Sequence, residues 1–541
     1  MQHSRCMGSR IRNWMPTRVL DLGAESSQIW KLCIPEVDGV PVSGYTTMSY
    51  RWGGGHFLKL TSQSLASFRS GLPTSELPRA FQDAICITKD LGFRFIWIDA
   101  LCILQDVGDD FHRECAHMSS IYTNSSCNIV ATFGKDPHTS LFQTRSFESL
   151  QISKFKATWE SNDVAHDVWL GIDAIADEKY LSREMYSCEI ASRGWILQEL
   201  LLSPRALYFG MNQVHWVCLD LEACETWPEG NPCRISTDMD IFRSKWFSNF
   251  DVDLSFWWGL IVERYSALNL SIAEDKLVAI SGVAKLFQQR THGEYFAGHW
   301  KSTLPQHLIW YRGPWKSTLP QHLIWYRGPW KRCHWKISET RSRSSIYTAP
   351  SWSWASVEGP VYFPIKSGRE VILCSIPEVY VNTAGGDPTG RAVDGQLTLR
   401  APSTTAAVSQ RNTLTISSLY PETVNSEQSE VWVHWDDWVI APLPPGTEVD
   451  LAVTVAYFNR FARAGEEWQW QFSFYALILL PLESNKGYYR RVGIFQVNSQ
   501  FKEGHWTSHA WLEAFGVNPT NEETRGVSIV EESTIRSFNV V

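Results

Sequence analysis

The amino-acid sequence predicts an α/β protein with three structural parts: a parallel-sheet domain toward the N-terminus, a helical middle region and a β-rich C-terminal domain. Alternating helix and strand patterns between Leu77 and Thr132 predict the first part. Helical spacing of apolar residues at 235–290 predicts the second part, and closely spaced strand patterns after Tyr347 predict the third. A chain of 541 residues is also too long for one ordinary hydrophobic core.

The first helix of the parallel-sheet domain is predicted to begin at Pro78, because proline needs no hydrogen-bond partner for its nitrogen in the first turn. One apolar stripe follows at helical spacing, and Gly92 is a C-terminal stop signal. The stripe consists of Phe81, Ile85, Thr88 and Leu91. Phe93–Ile98 is rich in aromatic and β-branched residues, which predicts a buried strand.

A second helix is predicted over Asp110–Tyr122, and the next strand over Cys127–Phe133. The order helix, strand, helix, strand is typical of a parallel sheet, in which ligands bind at the carboxyl ends of the strands. Asp99 follows the first of these strands, and Gln105 and Asp106 come shortly after it. These three polar residues are therefore candidate site residues.

Another strand is predicted over Tyr45–Tyr50, and three glycines follow it at 53–55. Glycines allow the backbone to approach a ligand closely, but they form neither a GxGxxG motif nor a P-loop. A tight loop without a ligand is an equally good interpretation. The candidate site residues in this stretch are Ser49, Tyr50, Arg51, Trp52 and Gly53.

Composition narrows the possible functions. A hydrophobic content of 44% and a charged content of 20% are typical of a globular chain. The net charge of −8 gives no general attraction for nucleic acid. The longest apolar runs, near Phe256–Val262 and Phe474–Leu482, are too short to span a membrane. We therefore expect neither a nucleic-acid partner nor a membrane span.

The 12 cysteines are scattered singly, without a CxxC pair. Cys218, Cys224 and Cys233 lack the spacing of a zinc site, so the sequence predicts no metal site. Reduced thiols without a visible secretory signal indicate a cytoplasmic protein. The first 20 residues contain four arginines and no acidic residue, which could mimic a mitochondrial presequence, but a frayed or truncated start is the expected reading.

The middle of the chain contains an exact repeat, because residues 300–314 and 315–329 are identical. Two copies do not make a solenoid. One copy is expected to pack as a short helix at Leu304–Trp310, and the other to form a loop. His307 and His322 are then by-products of the duplication rather than metal ligands.

The whole chain is expected to divide into four segments. They are a lead-in at 1–35, the parallel-sheet domain at 36–235, the helical region with the duplication at 236–340 and the β-rich domain at 341–541. Turn residues separate the strand patterns of the last segment, which predicts antiparallel pairing. These patterns cover Ser351–Ser356, Val361–Ile365, Glu370–Tyr380, Gln396–Arg400, Leu451–Tyr457, Gln471–Leu480 and Tyr489–Val497.

Three blocks of sequence, Tyr45–Gly53, Leu77–Asp106 and Ser192–Arg205, resemble in content and order the fungal heterokaryon-incompatibility (HET) domain family. The later element Ala349–Ser356 is also similar to one found in many of its members. The resemblance implies non-self recognition and programmed cell death when unlike fungal cells fuse. It further implies self-association and a separate incompatibility or recognition protein as a partner.

A second resemblance points to chemistry. Ser192–Leu200 and Met48–Tyr50 are similar to segments of Toll/interleukin-receptor (TIR) domains. This resemblance implies a TIR-like fold, NAD as a substrate rather than a bound cofactor, and Glu199 as the catalytic carboxylate that stabilises an oxocarbenium-like transition state. The pocket would then be lined by Ser49, Trp52, Asp99 and Trp195.

Other interpretations stay open. Glu199 could be an ordinary polar position of a helix, and Asp99 could cap the following turn, bind a ribose or pair with Arg51. The HET family usually has cysteine at position 51 and serine at position 100, where this chain has Arg51 and Ala100. A nucleophile at either position is therefore disfavoured.

A hydrolase built from Cys102, His56 and Asp99 is disfavoured too, because Cys102 lies in an apolar run. The alternative to an enzyme is a HET domain that acts as an oligomerising interaction module and triggers cell death through its partners.

Overall fold

The computed structural model of the chain describes the following residues: 3, 6, 14–144, 153–161, 164–172, 188–230, 253–312, 346–364, 369–408, 414–416, 429–436, 443–461, 469–502, 517–519, 527–529 and 535–541. These residues form two compact units, one within Met1–Val252 and the other within Asp253–Thr318 and Lys336–Val541. The first is mixed α/β with parallel strands, as the sequence predicts, and the second contains a large sheet that is antiparallel except where the strand Tyr488–Lys502 pairs with the strand Ile535–Val540. The four-segment division of the chain stays a prediction.

The strands described in the first unit are β1 (Val19–Asp21), β2 (Ile29–Cys33), β3 (Tyr45–Ser49), β4 (Leu72–Pro73), β5 (Phe95–Trp97), β6 (Cys127–Ala131), β7 (Ser153–Ser161), β8 (Val164–Ile172), β9 (Arg205–Phe209), β10 (Val214–Cys218) and β11 (Glu222–Cys224). Its helices are α1 (Pro35–Asp38), α2 (Leu65–Ser70), α3 (Arg79–Asp90), α4 (Asp99–Cys102), α5 (Gly108–Asn124) and α6 (Ile196–Leu202).

Nine of these strands form one sheet in the order β11-β10-β9-β6-β3-β5-β1-β2-β4. The four central strands, β9, β6, β3 and β5, are parallel to one another, and the outer strands pair antiparallel. β7 and β8 form a separate antiparallel hairpin. Parallel neighbours need long crossover connections, and helices α3 and α5 lie in the connections between the central strands.

Helix α3 follows the predicted pattern except at its end. Phe81, Ile85 and Thr88 are buried, and Gly92 has a positive φ of 77°, which fits a helix stop. The inward position predicted for Leu91 is wrong, because this side chain is 40% exposed. The helix ends at Asp90, so Leu91 leaves the buried stripe just where helical geometry stops.

The helices described in the second unit are α7 (Leu254–Ser266), α8 (Val278–Thr291) and α9 (Leu304–His307). Its strands are β12 (Tyr295–Phe296), β13 (His299–Trp300), β14 (Arg369–Ile372), β15 (Ser375–Thr383), β16 (Ala392–Val408), β17 (Leu414–Ile416), β18 (Ser429–Trp435), β19 (Glu448–Phe461), β20 (Gln469–Pro481), β21 (Tyr488–Lys502), β22 (Val517–Pro519), β23 (Val527–Ile529) and β24 (Ile535–Val540). The large sheet runs β14-β19-β20-β21-β24-β16-β15, with β17 on β16 and β18 on β21.

Two strands predicted for this unit are wrong. Trp352 and Trp354 are both fully buried, and the Ser353 side chain caps a single 3-10 turn at Trp354–Ser356 instead of alternating along a strand. The second predicted strand, at Val361–Ile365, does not form over its described residues 361–364. Tyr362 forms only an isolated bridge to Tyr311 there.

The first copy of the 15-residue repeat packs against a buried arginine, and the whole second copy, residues 315–329, lies outside the described residues. The Arg491 guanidinium donates hydrogen bonds to the carbonyl oxygens of Leu308, at 2.5 Å, and Trp310. It lies 3.4 Å from the Trp310 ring centroid and 3.2 Å from an Asp436 oxygen. The predicted helix in this copy is shorter than expected and ends at His307.

None of the helices in the described parts of the chain is both long and apolar enough to cross a membrane.

The central strand β6 provides a test of the first unit. Ile129 is fully buried on β6, whereas Ile29, on β2, is 58% exposed. We predict that Ile129→Ala lowers the free energy of unfolding by about 2–5 kcal/mol, because it leaves a cavity in the core that covers this central strand.

Urea unfolding followed by circular dichroism measures this change. The matched control Ile29→Ala is expected to change the free energy of unfolding by less than about 0.5 kcal/mol. Equal losses in the two variants would contradict this placement of the core.

Candidate functional site

The candidate site lies at the carboxyl edge of the central parallel strands. Thr47 of β3 is paired with Trp97 of β5, so Ser49 and Asp99, two residues further along each chain, reach the same edge. Helix α6 supplies Glu199 to this edge, through a contact with Ser49. The structure therefore brings together three residues that the sequence analysis selected from three separate blocks.

Glu199 is held inside a polar network. The Ser49 hydroxyl donates a hydrogen bond to Glu199 Oε2, and Asn128 Nδ2 of β6 donates to Ser49 Oγ at 3.0 Å. Thr47 Oγ1 donates to Asn128 Oδ1 at 3.1 Å. Glu199 is only 3% exposed, so its charge depends on these partners rather than on water.

Burial raises the pKa of Glu199, and the negative charge of Asp99 acts in the same direction. The positive charge of Arg193 and hydrogen bonds from Ser49 and Tyr122 oppose this effect without cancelling it. The carboxyl group therefore keeps its proton to a higher pH than an exposed glutamate does. A carboxyl with such a pKa can act as an acid or a base nearer to neutral pH.

Asp99 organises the loop that follows β3. Its carboxylate accepts hydrogen bonds from the Tyr50 hydroxyl at 2.8 Å and from Trp52 Nε1 at 2.7 Å. It also accepts from the backbone N–H of Ala100 at 2.7 Å, at the start of α4. Asp99 thus combines the helix-start contact with a clamp on two aromatic side chains, one buried and one half-buried.

Arg193 connects the α6 segment to β3, because its guanidinium donates a hydrogen bond to the backbone oxygen of Tyr50. Helix α6 begins at Ile196, so Arg193 and Trp195 precede its first helical residue. Trp195 and Arg51 are both half-buried beside these elements.

Contacts within the protein explain why position 53 is a glycine. It has a positive φ of 65°, and a Cβ atom there would lie 2.6 Å from Asp136 Cβ and 2.7 Å from the carbonyl oxygen of Lys135. The close approach is to the chain's own backbone. This supports the tight-loop interpretation of the glycine stretch.

Gln105 and Asp106 bond to neighbouring loops. Gln105 Nε2 donates to the Ile103 carbonyl oxygen at 2.9 Å and to that of Asp99 at 3.4 Å. The exposed Asp106 accepts from the backbone N–H and the hydroxyl of Ser62, which lower its pKa. These contacts give both residues a role in holding the loop around the edge.

A cysteine nucleophile receives no support. Cys102 is fully buried, and burial raises the pKa of its thiol to about 12, so the reactive thiolate is suppressed. This agrees with the sequence analysis, which disfavours a Cys102 hydrolase.

Sequence reasoning missed Asn128, Tyr122 and Arg193 as site residues. Asn128 is an amide in an otherwise apolar buried strand, and that mismatch was the one available signal. Tyr122 fits the apolar pattern of α5, and Arg193 entered the sequence analysis only as part of the block Ser192–Arg205.

A surface cavity of about 490 Å³ lies at the other edge of the sheet. Its lining includes Gly44 before β3 and Phe95 at the start of β5, so it faces the amino ends of these strands. Glu199 and Asp99 are at the carboxyl ends, and this cavity is not where their chemistry would occur.

The clamp on the two aromatic side chains can be tested through stability. We predict that Asp99→Ala lowers the free energy of unfolding by about 1–3 kcal/mol, because the buried Tyr50 hydroxyl loses its acceptor. Urea unfolding measures the loss. The control Asp106→Ala removes an exposed carboxylate and should cost less than about 1 kcal/mol; a larger loss than for Asp99→Ala would argue against the clamp.

The raised pKa of Glu199 gives a second test. The native state holds this proton more tightly than the unfolded state. The free energy of unfolding therefore falls as the pH rises from the pKa of Glu199 in the unfolded chain through its pKa in the native protein. Glu199→Gln removes this cost and keeps an oxygen that accepts from Ser49. We predict that the unfolding free energy of Glu199→Gln, relative to the native protein, increases as the pH rises above the ordinary pKa of glutamate, about 4.3. A difference that does not change with pH would refute the shift.

Comparison with models of protein families gives a match that covers the elements of this site. Residues 45–199 match the family model described as "Heterokaryon incompatibility protein (HET)", from the first residue of β3 to Glu199. No curated protein and no solved structure matches the chain, so the TIR-like fold stays a prediction. A HET domain indicates a function related to heterokaryon incompatibility in fungi. The chain therefore contains a heterokaryon-incompatibility (HET) domain at residues 45–199.

Proposed function

We propose that the HET domain of this chain cleaves the glycosidic bond of NAD, with Glu199 as the catalytic carboxylate. In this proposal the reaction takes place in the cytoplasm and leads to programmed cell death after fusion of unlike fungal cells. The domain acts after self-association, in response to a separate recognition protein. The proposal extends the resemblance of Ser192–Leu200 to an enzymatic TIR segment.

The observation that carries the proposal is the contact between Ser49 and Glu199. These residues are 150 positions apart in sequence, and each lies in a block that resembles a TIR segment. Their contact at the carboxyl edge of the parallel strands is where α/β proteins bind ligands. A buried carboxylate beside a hydroxyl and a tyrosine is also the kind of group whose pKa is set by its surroundings for catalysis.

The chemistry balances with groups of this site and water. The bond between ribose C1′ and the nicotinamide nitrogen breaks, and its electron pair leaves with nicotinamide. The ribose carries positive charge, which the ionised Glu199 stabilises, and water then adds to C1′ and releases a proton. The products are ADP-ribose, nicotinamide and the proton.

Substrate access in this proposal requires a local rearrangement. Ser49 and Glu199 are almost fully covered, whereas Arg51 and Trp52 are half-buried and 53–56 is exposed. Displacement of residues 51–56 would expose the carboxyl edge of the sheet, while Asp99 keeps its hydrogen bond from Tyr50. Clustering of the domain is a physical means of stabilising the opened loop.

A second candidate function is favoured by the same burial. The Glu199 carboxylate already accepts from Ser49 and Tyr122, so it could serve only to hold α6 against β3. The HET domain would then be an oligomerising interaction module without catalysis. The two functions differ in whether NAD is consumed.

Chromatography of NAD incubated with the purified full chain, concentrated on beads, separates these functions. We predict that the native protein releases nicotinamide and that Glu199→Ala lowers the rate at least about 100-fold, because the developing charge loses its counter-charge. The control Glu76→Ala changes an exposed glutamate of the same domain and should keep the native rate.

Circular dichroism and the urea midpoint establish that each variant is folded. A folded native protein that releases no nicotinamide at high local concentration would refute the enzyme and favour the interaction module. Equal rates for Glu199→Ala and the native protein would remove Glu199 from the catalytic role.

A further inference from the structure

Three metal-ligating side chains from distant parts of the sequence meet beside the end of β10. His3 Nδ1 lies 3.1 Å from Cys218 Sγ, although the residues are 215 positions apart. One ligand atom each of His3, Cys6 and Cys218 lie within 4.8 Å of one another. Cys6 and Cys218 are buried and half-buried, respectively, so the group is shielded from bulk water on the thiol side.

We propose that His3, Cys6 and Cys218 bind one zinc ion, with Asp220 as the fourth ligand. Cys6 Sγ lies 3.9 Å from Asp220 Oδ2, so a carboxylate oxygen is already beside the group. One imidazole nitrogen, two sulfurs and one carboxylate oxygen are ligands that zinc accepts.

The β10–β11 hairpin prepares Cys218 for this role. The backbone N–H groups of Asp220 and Leu221 point at Cys218 Sγ, at 3.4 and 3.2 Å. Two amide donors stabilise a negatively charged sulfur, which is the form that binds a metal. The tight connection between the two strands therefore supplies an outer shell of hydrogen bonds to the proposed ligand.

The distances between the ligand atoms fit a tetrahedral zinc ion after small movements of the side chains. Zinc–sulfur bonds of about 2.3 Å place two sulfurs of a tetrahedral site about 3.8 Å apart. The sulfurs of Cys6 and Cys218 lie within 4.8 Å of each other, so they need to approach by about 1 Å or less. The two thiols disfavour Ca²⁺ and Mg²⁺, which prefer oxygen ligands.

The first two ligands, His3 and Cys6, are separated by two residues, a separation that pairs of cysteine ligands also show in zinc sites. The other two ligands lie next to β11, at one end of the nine-stranded sheet. A bound ion would therefore fasten residues 3–6 to the hairpin at this sheet edge. Such a link adds stability by closing a long loop of the chain.

Cobalt substitution tests the proposal in the full chain, purified with a thiol reductant and freed of metal by a chelator. We predict that one equivalent of Co²⁺ produces a thiolate-to-cobalt charge-transfer band and that Zn²⁺ displaces it. Cys218→Ser should weaken Co²⁺ binding at least about 100-fold, since even changes in the outer shell of a metal site cost about 10–100-fold. Cys86→Ser, at an exposed cysteine on α3, is the matched control and should bind as the native protein does.

A readout independent of absorption is the thermal midpoint, which Zn²⁺ should raise in the native protein and in Cys86→Ser but not in Cys218→Ser. Absence of the charge-transfer band in the folded, reduced native protein would overturn the proposal, whatever the variants do. Equal Co²⁺ binding by Cys218→Ser and Cys86→Ser would mean an adventitious ion only. Mass spectrometry that finds Cys6 and Cys218 joined as a disulfide despite the reductant would also overturn it.

Discussion

Parallel pairing of β3 with both β5 and β6 constrains the arrangement of the first unit. Each parallel pair needs a long crossover, and the chain supplies it with α3 on one connection and α5 on the other. Because the three strands run in the same direction, their carboxyl ends meet at one edge. The polar residues that follow these strands are close together for that reason alone.

The polar groups at this edge are linked by hydrogen bonds rather than by chance proximity. Asp99 holds two aromatic side chains of the loop after β3, and Arg193 holds the backbone of the same loop from the other side. Glu199 lies deeper and shares Ser49 with Asn128. The electrostatic balance at Glu199 is therefore set jointly by burial, one nearby cation and one nearby anion. A change at any of these groups is expected to alter the others, since they form one connected network.

Much of this fold could be predicted from local patterns, and the network could not. The buried stripe of α3 and the position of Asp99 follow from spacing and strand ends, whereas the Ser49–Glu199 contact joins residues 150 positions apart. Only the resemblance to TIR domains identified Glu199 as a candidate site residue. The pattern at Trp352 and Trp354 failed because Ser353, between them, is just as buried, and its side chain caps a 3-10 turn instead of pointing to the opposite face of a strand. The group formed by His3, Cys6 and Cys218 was missed because zinc spacing rules search for ligands within short segments.

The partners of Arg491 have a genetic consequence. Its hydrogen-bond acceptors in the repeat are the backbone oxygens of Leu308 and Trp310, and the second copy repeats this sequence at Leu323 and Trp325. Removing either copy from the gene therefore yields one and the same protein, with the same partners for the buried guanidinium. The core of the second unit therefore uses the 15-residue sequence once and does not distinguish which of the two encoded copies supplies it.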